Sequence, residues 1–282
     1  MPSLWMFAGP NGSGKSTITA KFKVLTDFPK EYVNPDVLTQ QLAGDGTSYL
    51  ERSRRAQQMA ASQRQDMIAS KISFGFETVM SHPSKIAILH QAKRANYSIN
   101  LVYVCTSDPR INVSRVAGRV RDGGHDVPTD KIISRYHRSL GLLPSALEIS
   151  DSAVVYDNST NYAKKVKFEN GQPSQRDNNL PLWLKQVADD ITQRNQERRS
   201  LIERAKTSRL SLQPADINAG NYKGRIIATS DHYAIQQTSK SRGVMHDLSF
   251  VKIEQNATVR IKYLQGVSKV RLQNERSRGA DI

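Results

Sequence analysis

The sequence predicts an α/β fold, a parallel sheet with helices on both faces, followed by a small mostly-β C-terminal domain. Three observations carry this. Short apolar runs alternate with helical stretches through the first 160 residues, the pattern of βα units. A glycine-rich turn, Gly9-Pro10-Asn11-Gly12-Ser13-Gly14-Lys15-Ser16, joins the first apolar run to the first helical stretch. From about residue 218 the helical period gives way to short segments that alternate polar with apolar residues.

Strands are expected at 3–8, about 31–34, 73–77, 98–105 and 152–157, and helices at 15–24, 48–70, 82–94, 109–121 and 130–147. Residues 170–180 are polar and turn-rich and read as a surface loop, and a helix is expected from Leu182 to about Lys206. These readings divide the chain into a domain over 1–200, a linker over 201–217, a small β domain over 218–275 and a tail over 276–282.

Composition narrows the class. The 282 residues are 38% apolar, enough for a packed core, and carry a formal charge of +15, which suits anionic partners such as nucleotides or nucleic acid. Cys105, the one cysteine, lies in the apolar run Leu101–Cys105 and reads as a core residue with no intramolecular disulfide. No apolar run reaches the length of a membrane span, and the N-terminal run leads straight into the glycine-rich turn, so a cytoplasmic protein without membrane contact is expected.

The turn is a complete G-x-x-x-x-G-K-S phosphate-binding loop. Its backbone N–H groups wrap phosphates, Lys15 reaches the outer ones, Ser16 is placed to hold Mg²⁺, and Thr17 continues into a helix whose positive end faces the anion. ATP and Mg²⁺ are the expected ligands. Neither an N-K-x-D guanine signature nor an L-S-G-G-Q signature is present, which turns the reading toward small-molecule phosphoryl transfer. Ligands of parallel sheets bind at the carboxyl ends of the strands, where Asp36, Glu77 and Asp157 all fall.

Asp36, after Val33-Asn34-Pro35, is placed either to take a proton from an attacking hydroxyl or to cap a helix. In Phe74-Gly75-Phe76-Glu77-Thr78-Val79-Met80-Ser81, Glu77 and Thr78 can hold a polar acceptor or Mg²⁺, or simply end a strand. Arg115, Arg119 and Arg121, the turn Asp122–Pro128, then Arg135 and Arg138 describe two basic helices joined by a glycine hinge. They read as a lid that brings guanidinium groups onto a transferring phosphoryl, against the alternative of two solvated helices. His125 reads as a loop hydrogen-bonding residue rather than a metal ligand.

These pieces together resemble the zeta toxin family of P-loop kinases, in particular its predicted-ATPase branch. The matching segments are GPNGSGKST, NPD, FETVMS, VSRVAGRVRDGGHDVP with ISRYHRSLGLLP, and VVYDNS, in the family's order over residues 3–160. The resemblance implies a P-loop kinase-like sheet and transfer of the γ-phosphate of ATP to a hydroxyl of a small molecule, a UDP-linked N-acetyl amino sugar in the best-known members. It implies ATP contacts from Gly9 through Thr17, with Mg²⁺ on Ser16. Asp36 would be the base and Glu77 and Thr78 would contact the acceptor. Lys15 and lid arginines from among Arg115, Arg119, Arg121, Arg135 and Arg138 would act at the phosphates, and an antitoxin would be the partner.

The C-terminal part is similar to the KfrB-type domain of plasmid-encoded proteins, on Tyr222-Lys223-Gly224-Arg225-Ile226-Ile227-Ala228, Asp231–Gln237 and His246-Asp247-Leu248. Such a module would target the enzyme, bind nucleic acid or restrain the kinase in cis. Residues 201–282 hold 14 Lys and Arg against 7 Asp and Glu, which permits DNA contact. The contrasting reading is a plasmid-associated nucleic-acid or protein binding factor with an ATP-driven switch. His232 and His246 read as turn and core residues rather than a catalytic pair.

Overall fold

The computed structural model describes residues 1–43, 46–124 and 126–272. It forms two compact units, Met1–Lys185 and Gln186–Ile282.

The first unit is built on seven strands, β1 (Ser3–Ala8), β2 (Glu31–Val33), β3 (Phe74–Thr78), β4 (Ser98–Cys105), β5 (Ser152–Asp157), β6 (Ala163–Glu169) and β7 (Gln172–Arg176), in the order β2-β3-β1-β4-β5-β6-β7. The first five in that order pair in parallel; β6 and β7 add antiparallel strands at one edge. Its helices are α1 (Lys15–Phe22), α2 (Pro35–Gln41), α3 (Tyr49–Ala69), α4 (Ser84–Arg94), α5 (Pro109–Arg121) and α6 (Thr129–Ile149). Leu4, Met6, Phe7, Phe76, Leu101 and Val104 are fully buried. A parallel strand covered on both faces has no polar side to show, so its sequence reads as a continuous apolar run. Cys105 is among these buried residues, and burial pushes its thiol up to about 12.

The second unit carries β8 (Ser211–Pro214), β9 (Asn221–Thr229), β10 (Tyr233–Gln237), β11 (Arg242–Asp247), β12 (Thr258–Leu264) and β13 (Val267–Leu272), ordered β13-β12-β9-β10-β11-β8. Helix α7 (Leu182–Thr207) gives all but its first turn to this unit. Leu201 and Ala205 of α7 pack with Leu210, Ala228, Tyr233 and Ile235. Below them, fully buried His246 joins the Tyr263 hydroxyl (2.9 Å) and Gln236 Oε1 (3.2 Å).

The structure departs from the sequence reading in five places. Residues 172–176, expected in a loop, form β7, an exposed polar edge strand in which Pro173 is tolerated because half of an edge ladder is unpaired. Helix α2 is seven residues long and starts on Pro35, too short for a helical period to show. Residues 201–217, expected as a linker, hold the end of α7 and β8, and the units divide at Lys185/Gln186 rather than at 200, because α7 buries its apolar side in the second unit. Strand β6, antiparallel beside β5, and strand β11 stand where no strand is expected. The tail over 276–282 and His125 lie outside the described residues. Among the described residues, no helix is long and apolar enough to cross a membrane.

Candidate active site at the strand ends of the first unit

The order β3-β1-β4 puts the end of β1 where the chain's crossovers diverge to opposite sides, and the phosphate loop leaves the sheet there. Gly14 precedes α1 at φ 95°, a left-handed conformation, and a Cβ on it would stand 2.3 Å from the Tyr162 hydroxyl. No side chain caps α1, so its first N–H groups remain open to an anion. Lys15 Nζ donates to the carbonyls of Gly9 and Pro10, both at 2.8 Å, which folds it back over the loop. Burial lowers its amine to about 8, against the raising influence of Glu77 and Asp36 and with a further lowering by Arg119.

Outside the loop stand two buried asparagines and a half-buried tyrosine. Asn112 Nδ2 donates to Asn11 O (2.6 Å), Asn158 Nδ2 to Ser13 O (2.8 Å) and the Tyr162 hydroxyl to Gly14 O (2.9 Å). Three consecutive parts of the loop are thus held from α5, from the turn after β5 and from its continuation into β6. Sequence reasoning missed this clamp, giving VVYDNS only as a segment that carries the family resemblance. Asp157 accepts from Ser159 N (2.9 Å) and from Trp183 Nε1 (2.8 Å), while Asn158 holds the loop. Its signal in sequence is only a run of polar residues after a buried strand.

Glu77, one residue before the end of β3, lies opposite Phe7 of β1 and accepts from Ser16 Oγ at 2.9 Å and from the Tyr32 hydroxyl at 3.1 Å. A hydroxyl and a carboxylate side by side at the mouth of the loop are the hard oxygen donors that suit Mg²⁺ shared with nucleotide phosphates. Among the described residues there is no cluster of three His, Cys, Asp or Glu that could hold a metal by itself. Thr78 turns its side chain into the backbone, its Oγ1 accepting from Met80 N at 3.0 Å.

The structure separates the two readings of Asp36. Asn34 is the cap of α2, its Oδ1 accepting from Asp36 N at 2.9 Å, and Pro35 fills the first helical position. Asp36 stands in the first turn, exposed, its charge felt by Lys15.

The arginines sort as well. Arg135 Nη1 of α6 lies 3.4 Å from Asn11 Oδ1 at the loop's apex, and Arg115 Nη2 of α5 reaches Ser159 O (3.3 Å). Arg119 is exposed, and its charge is felt by both Lys15 and Tyr49. Arg121 is exposed at the end of α5, and Arg138 turns back on Ser134 of its own helix.

A parallel sheet of this order, with a clamped phosphate loop after its central strand, defines a P-loop kinase-like fold. Comparison with known proteins agrees. Residues 4–141 match the family model described as AAA domain, and residues 221–272 match the KfrB Domain. The chain therefore has a P-loop kinase-like α/β fold, followed by a segment that matches a KfrB-type domain.

An uncharacterized protein of Haemophilus influenzae is 27% identical over 130 residues, 46% of this chain and 89% of that one. The crystal structure of AvrRxo1-ORF1:-ORF2 with ATP superposes with a TM-score of 0.52 at 16% identity, covering 68% of this chain. The match spans 64% of that chain, just under two thirds of its length. A chain of the PezAT chromosomal toxin-antitoxin system of Streptococcus pneumoniae gives a TM-score of 0.47 at 15% identity, covering 70% of this chain and 87% of that one.

Proposed function

We propose that this protein transfers the γ-phosphoryl group of ATP to a hydroxyl of a small anionic metabolite. The observation that carries the reading is the grouping at one strand edge of Lys15 over an uncapped helix start, the Ser16–Glu77 pair and the exposed Asp36. Lys15 and the α1 N–H groups hold the phosphates, assisted by Arg119, Arg121 and Arg135 from α5 and α6. Mg²⁺ on Ser16, with Glu77 beside it, supplies charge neutralisation at the phosphates. Asp36 accepts the proton of the attacking hydroxyl as its oxygen bonds to the γ-phosphorus and the β–γ bridging P–O bond breaks, releasing ADP.

Two cations packed near β3 favour an anionic acceptor. Arg64 is buried over the Phe76 ring (5.1 Å) and forms no ion pair among the described residues. Lys85, in the first turn of α4, has its amine lowered to about 8 by burial and by Arg64. These features favour a phosphate-bearing acceptor, and a UDP-linked N-acetyl amino sugar is the first candidate. A protein antitoxin is the proposed partner, with restraint in cis by the KfrB-type domain as the alternative.

The test is incubation of the full chain with ATP, Mg²⁺ and a panel of nucleotide sugars, nucleosides and metabolite extract, read by mass spectrometry. One phosphorylated product is expected. Asp36→Asn is expected to slow its formation about 10²–10⁴-fold while ATP binding persists. Equal rates from wild type and Asp36→Asn would remove Asp36 as the base. No product from wild type that binds ATP would overturn the kinase reading.

A further inference from the structure

The second unit shows a surface that the phosphotransfer reading does not use. Strands β9, β12 and β13 lie side by side, and their register places cations directly opposite one another. Lys223 faces Arg260, which faces Arg271; in the next row Lys262 faces Lys269; Arg225 stands opposite Thr258 at the end of the face. All six cations are exposed, and residues of the alternate register, Val259, Ile261 and Tyr263, are buried. No Asp or Glu occurs anywhere in the three strands.

Like charges directly opposite on a sheet destabilise it, and here the arrangement recurs across three strands without a carboxylate to relieve it. Such a face is complementary to a polyanion. Adjacent strands are spaced by about 4.8 Å and alternate residues along a strand by about 6.8 Å. The latter is about twice the 3.4 Å axial rise per phosphate along one DNA strand. No aromatic side chain lies on this face, since Tyr222 and Tyr263 occupy the inward register. Base stacking, the usual means of holding single strands, has no platform here.

We infer that the exposed face of β9, β12 and β13 binds the phosphate backbone of double-stranded DNA without regard to sequence. This does not rest on the kinase reading, and the Lys15→Ala protein is expected to bind duplex as the wild type does.

The experiment is fluorescence anisotropy of the full chain with labelled 30-base-pair duplexes of unrelated sequence, titrated between 50 and 200 mM salt. Wild type is expected to bind all of them alike, with log K falling linearly with log salt. Removing four cations together (Arg260→Gln, Lys262→Gln, Lys269→Gln, Arg271→Gln) is expected to flatten that slope by about 3 to 4 and to weaken low-salt binding at least ~100-fold. Thermal denaturation should show this variant as stable as wild type or more so. If it fails to fold, Lys262→Gln with Lys269→Gln is the substitute, with a slope change of about 2.

The control removes four exposed cations of the first unit (Lys30→Gln, Arg54→Gln, Lys164→Gln, Arg176→Gln). An equal loss from the control would overturn the assignment, since net charge would then explain the binding. So would tighter binding of single strands, or displacement of the duplex by polyglutamate at equal charge.

Discussion

The two units treat buried polar groups in opposite ways. In the first, Ser13 Oγ, Arg52 Nε, Arg64 Nε and Arg115 Nη1 are buried with no hydrogen-bond partner, and among the described residues every such atom lies in this unit. In the second, the buried polar groups complete one another. Arg194 is 2% exposed and pairs with Asp247 at 2.5 Å while lying over the Tyr233 ring; His232 sits between Asp190 (2.8 Å) and Glu197 (3.1 Å); His246 is closed between Tyr263 and Gln236. An unpartnered buried donor costs stability and persists where something else exploits it, whereas a closed network fixes a fold. The first unit leaves four buried polar atoms open beside the closed clamp on its phosphate loop, whereas the second, among the described residues, closes all of its own.

The comparison breaks most visibly at Arg194. Arg194→Ala leaves Asp247 without its cation, and a loss of about 3–5 kcal/mol in unfolding free energy is expected by denaturant titration. A loss below ~1 kcal/mol would mean that the network is not what holds this unit.

His246 sharpens the comparison through pH. Burial lowers its imidazole to about 4 from the ordinary 6.5, so the folded state favours the neutral ring. Stability from this residue is complete above pH 6.5 and declines as pH falls toward 4, by about 3 kcal/mol in all. The acid limb of the stability–pH profile should therefore be shallower in His246→Gln. Parallel profiles would show that the ring protonates without cost.

Asn158→Ala is expected to have the smallest effect and to fall on the first unit. It removes the donor to Ser13 O, at about 1–3 kcal/mol, and the loosened loop should raise the Kd for ATP about tenfold by calorimetry. Unchanged affinity would show that Asn112 and Tyr162 suffice to hold the loop.

Much of the parallel sheet was legible in the residues, because a strand buried on both faces must be apolar and a glycine-rich turn must follow a strand to bind phosphate. Strands β1 and β4 were read to the residue, and Glu77 and Asp36 to the right edge. The illegible parts share a physical cause. Strand β7 is polar throughout, α2 is shorter than two helical turns, and β8 is a four-residue strand whose pairing with β11 joins segments distant in sequence. Pattern reports burial, and where burial is slight or brief it is silent. The clamp of Asn112, Asn158 and Tyr162 was hidden for another reason, since its partners are backbone carbonyls about 100 to 150 positions away. The sorting of the arginines likewise depends on side-chain reach, with Arg135 arriving at Asn11 across 124 positions.

The sheet order also bears on how the chain acquires a working phosphate loop during synthesis. The loop's residues emerge early, yet β1 pairs with Phe74–Thr78 on one side and Ser98–Cys105 on the other, and the clamp closes only with Asn158 and Tyr162. A nascent chain that stops short of residue 162 carries the full glycine-rich motif without the scaffold that shapes it. Nucleotide binding by this protein is thus a property acquired late in translation, and ribosome-bound chains of increasing length, probed with a fluorescent ATP analogue, should gain it only after that residue has left the exit tunnel.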